Sequence, residues 1–239
     1  MVLPMAENII TSDGYLEFVV DTYDAQRLGK DKATRIKNLL SWLNSEVFET
    51  YETEERALAL LAPLFDEEYK INDDLRTHLV SEWGDIMWFN FALAHEVGVE
   101  PHAAHAEHAR LFGSRLSSAK LRYFQATSMR HMDQERLDTK PGHSVSFNEN
   151  PFLHVVRLSG QLIKSYDSDY KPTGPWLASD SEAPKSNLEV MGFVSCTVAK
   201  ASRFILDMSL GEVLRFNMAK AARRKAEGKT FDHPPDSLD

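Results

Sequence analysis

Between Asp31 and the early fifties of this chain, apolar side chains return every three or four residues, at Ile36, Leu39, Leu40, Leu43, Val47 and Phe48, with no glycine or proline among them. That spacing lines one face of an α-helix and would scatter over both faces of a strand, so it restricts the segment to helix. The same period runs through Leu16, Val19, Val20 and Tyr23 in a stretch from about Gly14 to Leu28. A third helix is expected from Asn72, Asp73 and Asp74, side chains suited to capping, to about Val97, where Gly98 takes the position on which helices often end. Residues 66–70 read as the connector before it. A fourth helix is expected from Pro101, a residue tolerated in a first helical turn, past Leu111. Helical patterning returns over 151–166, over 187–206, and from Ser209 to about Ala226, where Ser209 and Glu212 have the spacing of a capping box. No alternating apolar–polar run exceeds about four or five residues, the length that a strand would need. The expected fold class is all-α.

Glycine and proline gather between these stretches. Residues 136–150, RLDTKPGHSVSFNEN, are polar and hold Pro141 and Gly142, so they read as a linker between a unit at 1–135 and a unit at 151–239. A second polar stretch, 167–186, contains Pro172, Gly174, Pro175 and Pro184, and the tail from Gly228 reads as irregular.

A hydrophobic share of 43% is enough to fill the core of one large domain or two small ones. Acidic side chains number 36 against 27 basic, a net charge of -9, which argues against a nucleic-acid polymer as the main partner. A small anionic ligand fits such a chain if a metal ion supplies the positive charge. No apolar run approaches the roughly 18 residues of a membrane span, and the first residues, MVLPMAENIITSDG, lack the pattern of a signal peptide. A cytoplasmic protein without a membrane partner is expected. The single cysteine, Cys196, permits no intrachain disulfide and lies in an apolar stretch, where it reads as a small buried hydrophobe.

Two pairs of acids stand out against this background. Glu46 and Glu49 are three residues apart on the second expected helix, and Glu82 and Asp85 are three apart on the third. Residues at i and i+3 share a helix face, so each pair points two carboxylates the same way. Each pair also lies among large apolar residues, Leu43, Val47 and Phe48 in one case and Trp83, Ile86 and Trp88 in the other. Four carboxylates brought together repel one another unless cations neutralise them, and an all-oxygen set suits Mg²⁺ or Mn²⁺. The plainer reading is that acids at this spacing are ordinary on solvated helix faces.

The string from Ser81 to Phe89, S-E-W-G-D-I-M-W-F, resembles the E-x-x-D helix of the MazG-like all-α nucleoside triphosphate pyrophosphohydrolases. The string from Leu43 to Glu49, L-N-S-E-V-F-E, is similar to that family's E-x-x-E helix, and the order and separation of the two fit as well. The resemblance implies a MazG-like helical bundle in which Glu46, Glu49, Glu82 and Asp85 hold Mg²⁺. The string from Met208 to Arg224, M-S-L-G-E-V-L-R-F-N-M-A-K-A-A-R-R, looks like the family's last helix. By that likeness Asn217, Lys220 and Arg224, which share one face, would meet the phosphates. A basic helix end that complements the helix dipole is the plainer reading, and it suffices for Arg223 and Lys225.

In a single domain of that family the last helix follows the E-x-x-D helix almost directly, whereas here more than a hundred residues intervene. Internal duplication accounts for the gap. Laying residue 209 on residue 100 sets His108 against Asn217, Leu111 against Lys220 and Arg115 against Arg224. In the same way Met191 and Val194 stand where Glu82 and Asp85 stood, and Gln161 and Lys164, with a shorter loop, where Glu46 and Glu49 stood. The expectation is a tandem pseudo-dimer of two four-helix units, whose acidic face comes from the first unit and whose cationic face comes from the second. A long insertion into one domain is the competing account, and pairing of two such chains as a homodimer stays open.

The activity implied is Mg²⁺-dependent hydrolysis of a nucleoside triphosphate, (d)NTP plus water giving (d)NMP and pyrophosphate, with Glu49 as the expected base. Hydrolysis of dUTP or dCTP, or of phosphoribosyl-ATP, belongs to the same fold, and a catalytically weak nucleotide-binding helical protein is the alternative of a different class. Trp42, Trp83 and Trp88 lie near the acids and could stack a base, but at helical spacing they read as core. His102, His105 and His108 drift round their helix and read as surface or core residues, not as a soft-metal site.

Overall fold

The computed structural model of the chain describes residues 10, 12–61, 73–100, 187–206 and 208–228, together with helical positions at 155–156, 159–160, 162–163 and 166. Helix is the sole regular secondary structure among the described residues, and the chain is all-α there. The elements are α1 (Ser12–Thr22), α2 (Ala25–Leu28), α3 (Lys32–Leu61), α4 (Asp73–Val97), α5 (Asn187–Leu206) and α6 (Leu210–Ala226). The expected helix from Pro101, the connector at 66–70, the linker at 136–150 and the polar stretch at 167–186 lie outside the described residues. Among the described residues no helix is long and apolar enough to cross a membrane.

Two boundaries differ from the expectation, each for a local reason. The first amphipathic stretch is two helices. Thr22 Oγ1 donates to the carbonyls of Phe18 and Val19, both at 3.0 Å, and Asp24 then adopts extended backbone and accepts from the amides of Gln26 and Arg27 to start a new turn. Gly29 closes that turn at φ 147, where a β-carbon would meet Thr34 Cγ2 at 2.6 Å. The second stretch runs further than the early fifties, to Leu61. Its start is capped by Asp31, which accepts from Thr34 N at 2.8 Å, and its extension ETEERALALL is built of strong helix formers.

The other boundaries fall where the sequence places them. α4 ends at Val97, and Gly98, at φ 75, turns its amide and that of Val99 back onto the carbonyl of Ala94. α6 starts with a complete capping box: Ser209 Oγ accepts from Glu212 N, and Glu212 Oε2 accepts from Ser209 N at 2.7 Å.

α4 is the axis of the fold. Every residue from Glu82 to Ala94 is buried, because α3, α5, α6 and α1 all pack against it. A stretch covered on all sides must be apolar nearly all round, and residues 82–94 are so apart from Glu82, Asp85 and Asn90. One continuous core takes Tyr15, Leu43, Val47 and Ile86 from the first half of the chain and Val194 and Leu214 from the second. Polar groups of α4 also bridge helices. Trp88 Nε1 donates to Thr22 Oγ1 at 2.9 Å, and Asn90 Nδ2 donates to Ser195 Oγ at 2.8 Å and to the Met191 carbonyl. At the helix end Glu96 accepts from Arg35 Nε and Nη2 and from the Tyr23 hydroxyl.

α4 and α6 approach closely. A β-carbon at Gly84 would stand 2.8 Å from Cβ of Asn217, so the helices touch through a missing side chain. Gly84→Ala would gain about 1 kcal/mol of helix propensity but would overpack the contact by about 1–3 kcal/mol. We expect a lower thermal midpoint by circular dichroism; a raised midpoint would mean that α6 is not seated there.

Candidate metal centre

α3 carries Glu46 and Glu49, and α4 carries Glu82 and Asp85, on helices that pack against each other. One carboxylate oxygen each from Glu46, Glu49 and Glu82 lies within 4.8 Å of the others. Glu46 and Glu82 are buried and Glu49 is exposed, so the cluster meets solvent on the Glu49 side.

Burying carboxylates beside one another favours their neutral form. Burial first, then the charges of Asp85, Glu82 and Glu49, push the Glu46 carboxyl up to about 9, against the opposing pull of Lys220. Glu82 is raised for the same reasons, burial and then Asp85, and is held back by His78 and Lys220. His78 Nδ1 stands 3.4 Å from Glu82 Oε1 on the solvent side.

The fourth expected ligand, Asp85, is engaged by side chains of α6. Asp85 is not among the three converging carboxylates: its Oδ1 accepts from Asn217 Nδ2 at 2.8 Å, and its Oδ2 is paired with Lys220 Nζ. Lys220 also donates to Ser81 Oγ at 2.8 Å, and the Tyr15 hydroxyl donates to Asn217 Oδ1 at 2.8 Å. Asn217 and Lys220, expected to meet phosphates, are therefore buried and turned toward Asp85. The reason is electrostatic, since an ammonium packed inside a helical core needs an anionic partner and Asp85 is in reach. Arg224, one turn further along α6, remains half-exposed.

Of the expected residues, the fold thus unites Glu46, Glu49 and Glu82 in one group and Asp85, Asn217 and Lys220 in an adjoining one. Tyr15, Ser81 and His78 were not among the sequence candidates. Ser81 and His78 stand one turn from Asp85 and Glu82 respectively, a spacing readable in advance, while Tyr15 shares the period of Val19 and carries no polar signal. Trp83 is fully buried core, Trp88 is buried and bonded to Thr22, and Trp42 packs edge-on against Phe89. In the second half Met191 and Val194 are buried core residues. His102, His105, His108, Leu111, Arg115, Gln161 and Lys164, and the side chain of Cys196, lie outside the described residues.

Compared with protein-family models, curated proteins and solved structures, the chain matches none. Chemistry at the site must carry the argument. The donors fit a hard divalent cation: all are carboxylate oxygens, two are buried, and burial together with the neighbouring carboxylates disfavours their charged forms, a cost that a bound cation would offset.

Two measurements follow. Glu46 has a folded value near 9 against 4.5 for the ordinary carboxyl, so the folded state holds a proton that the unfolded chain has lost between those limits. With EDTA present, stability should fall as pH rises through that window, by at most about 1.4 kcal/mol per pH unit. Glu46→Gln should flatten the slope in urea unfolding at pH 5, 7 and 9; an identical slope in both proteins would refute the assignment. Tyr15→Phe should cost about 1–3 kcal/mol in the same assay, because it strands the buried Asn217 oxygen.

Proposed function

We propose that the chain is a Mg²⁺-dependent nucleoside triphosphate pyrophosphohydrolase of the MazG-like all-α kind, converting a (d)NTP and water to the (d)NMP and pyrophosphate. The observation that carries the reading is the approach of Glu46, Glu49 and Glu82 within 4.8 Å across two helices, in the E-x-x-E and E-x-x-D strings that resemble that family. The accompanying idea is a tandem pseudo-dimer, whose acidic helices come from 1–135 and whose cationic helix comes from 151–239; packing of α6 on α4 meets its requirement that the two faces lie together, as it does that of a single domain with a long insertion.

In this reading Glu46, Glu49 and Glu82 hold Mg²⁺ or Mn²⁺. When bound, that ion supplies Lewis acidity toward water and charge neutralisation for the triphosphate. Glu49 is the exposed carboxylate of the three and is the side chain that receives the proton of the attacking water. Arg224 is the accessible cation of the Asn217–Lys220–Arg224 face and binds a phosphate oxygen of the substrate. Buried Lys220 and Asn217 hold α6 in place and lower the negative potential from within.

The commitment of Asn217 and Lys220 to Asp85 leaves fewer cations for phosphate, and this favours, as a second reading, a nucleotide-binding helical protein with little catalysis. A panel of ribo- and deoxynucleoside triphosphates, dUTP and dCTP among them, and phosphoribosyl-ATP, assayed with Mg²⁺ for pyrophosphate release, separates the readings. Turnover of at least one substrate is expected, lost by about 10²-fold or more in Glu82→Gln and Glu49→Gln, in the range of removing a positioned acid–base group. Arg224→Ala should act mainly on KM. Nucleotide binding without release from any substrate would establish the second reading, and undiminished hydrolysis by both glutamate variants would end the first.

A further inference from the structure

Lys220 is the least expected charge in the interior of this fold. Lysines are almost never fully buried unless paired, and this one is only 8% exposed. Its Nζ is paired with Asp85 Oδ2 and donates to Ser81 Oγ at 2.8 Å. The other Asp85 oxygen accepts from Asn217 Nδ2 at 2.8 Å, and Asn217 is oriented in turn by the Tyr15 hydroxyl at 2.8 Å. Both oxygens of Asp85 are thereby engaged by donors from α6, and those donors are anchored to α1 and α4. Glu46, Glu49 and Glu82 converge beside this pair, with an oxygen of each within 4.8 Å of the others.

We infer that Lys220 takes on Asp85 the place that a second divalent cation would occupy, so that the centre binds a single metal ion through Glu46, Glu49 and Glu82 and leaves Asp85 outside its ligands. The inference rests on the metal-centre reading made above. Its physical basis is the cost of the alternative. For Asp85 to turn to a metal ion, Lys220 would lose the one carboxylate that it contacts directly and keep only the Ser81 hydroxyl as a hydrogen-bond partner, a poor state for a charge in a core. The charges also suit one ion: a divalent cation and an ammonium offset three of the four carboxylates, and His78 stands beside Glu82. Because the ammonium is covalently part of α6, this half of the neutralisation does not depend on metal concentration.

Mn²⁺ is the probe, titrated into the full chain and followed by loss of the free-ion electron paramagnetic resonance signal. The wild-type chain is expected to bind one Mn²⁺. Two tightly bound ions would overturn the inference while leaving the metal centre standing, whereas no binding would remove the metal-centre reading itself. The pair can also be replaced as a unit, which avoids stranding either charge. Asp85→Asn combined with Lys220→Met should keep the Mn²⁺ dissociation constant within about threefold, while Glu82→Gln, which removes a ligand, should weaken it by about tenfold or more. A double variant weakened as much as Glu82→Gln would place Asp85 among the ligands and overturn the inference. Should that variant lose its helical circular dichroism, the wild-type stoichiometry still decides.

Discussion

The contact between Asp85 and Lys220 governs the centre of this fold, because it joins two helices through residues 135 apart in sequence where little water can share the charge. Neither residue is comfortable alone. Asp85 sits on a helix buried on every side, and Lys220 sits on the face of α6 that meets it. Pairing answers both demands, and Asn217, Ser81 and Tyr15 extend it into a hydrogen-bonded network. Partial satisfaction of such a network is worse than an apolar core, so its completeness matters more than any single bond in it.

The same contact separates the acids into two electrostatic situations. Asp85 has its counter-charge built in, while Glu46 and Glu82 are buried without comparable pairing and are pushed toward their neutral forms. A helical core does not hold two such groups side by side for stability. Their burial leaves a local deficit of positive charge, open to solvent at Glu49, and this is the property that a divalent cation or a metal–phosphate complex would answer. Function in this reading therefore comes from what the core leaves unneutralised.

Helices were legible in the sequence because their signals are local. The 3.6-residue period of α3, the cap of α6 and the glycine after Val97 all act within one or two turns. The convergence of Glu46, Glu49 and Glu82 was legible too, since spacing on two adjacent amphipathic helices sets their faces. What the sequence hid is a matter of tertiary partners. Nothing in N-x-x-K says that asparagine and lysine will turn inward, because the same spacing serves a solvent-facing phosphate site; the deciding facts are the smallness of Gly84 and the presence of Asp85 opposite. Tyr15 was invisible for the same reason, being an apolar position by pattern and a polar one only through a residue 202 positions away. The division of α1 from α2 was missed because side-chain bonds of Thr22 and Asp24 outweighed a continuous apolar stripe.

Buried ion pairs contribute little to stability compared with well-packed apolar residues, and their better-attested role is to fix register. The α4–α6 interface has the features for this. Gly84 offers one gap along α4, and Asn217 fills it while reaching Asp85 and Tyr15. Lys220, three residues on, completes the second point of attachment. Sliding α6 by a turn toward its N-terminus would bring Ala221 to the gap and Arg224 to Asp85, a charge match that nonetheless leaves the Tyr15 hydroxyl without its acceptor. Sliding it the other way would bring Val213 to the gap and Phe216 to the acid, and the carboxylate would be stranded. Two points three residues apart thus select one register of α6, and that register sets Arg224 one turn beyond Lys220, half-exposed at the end of the same face.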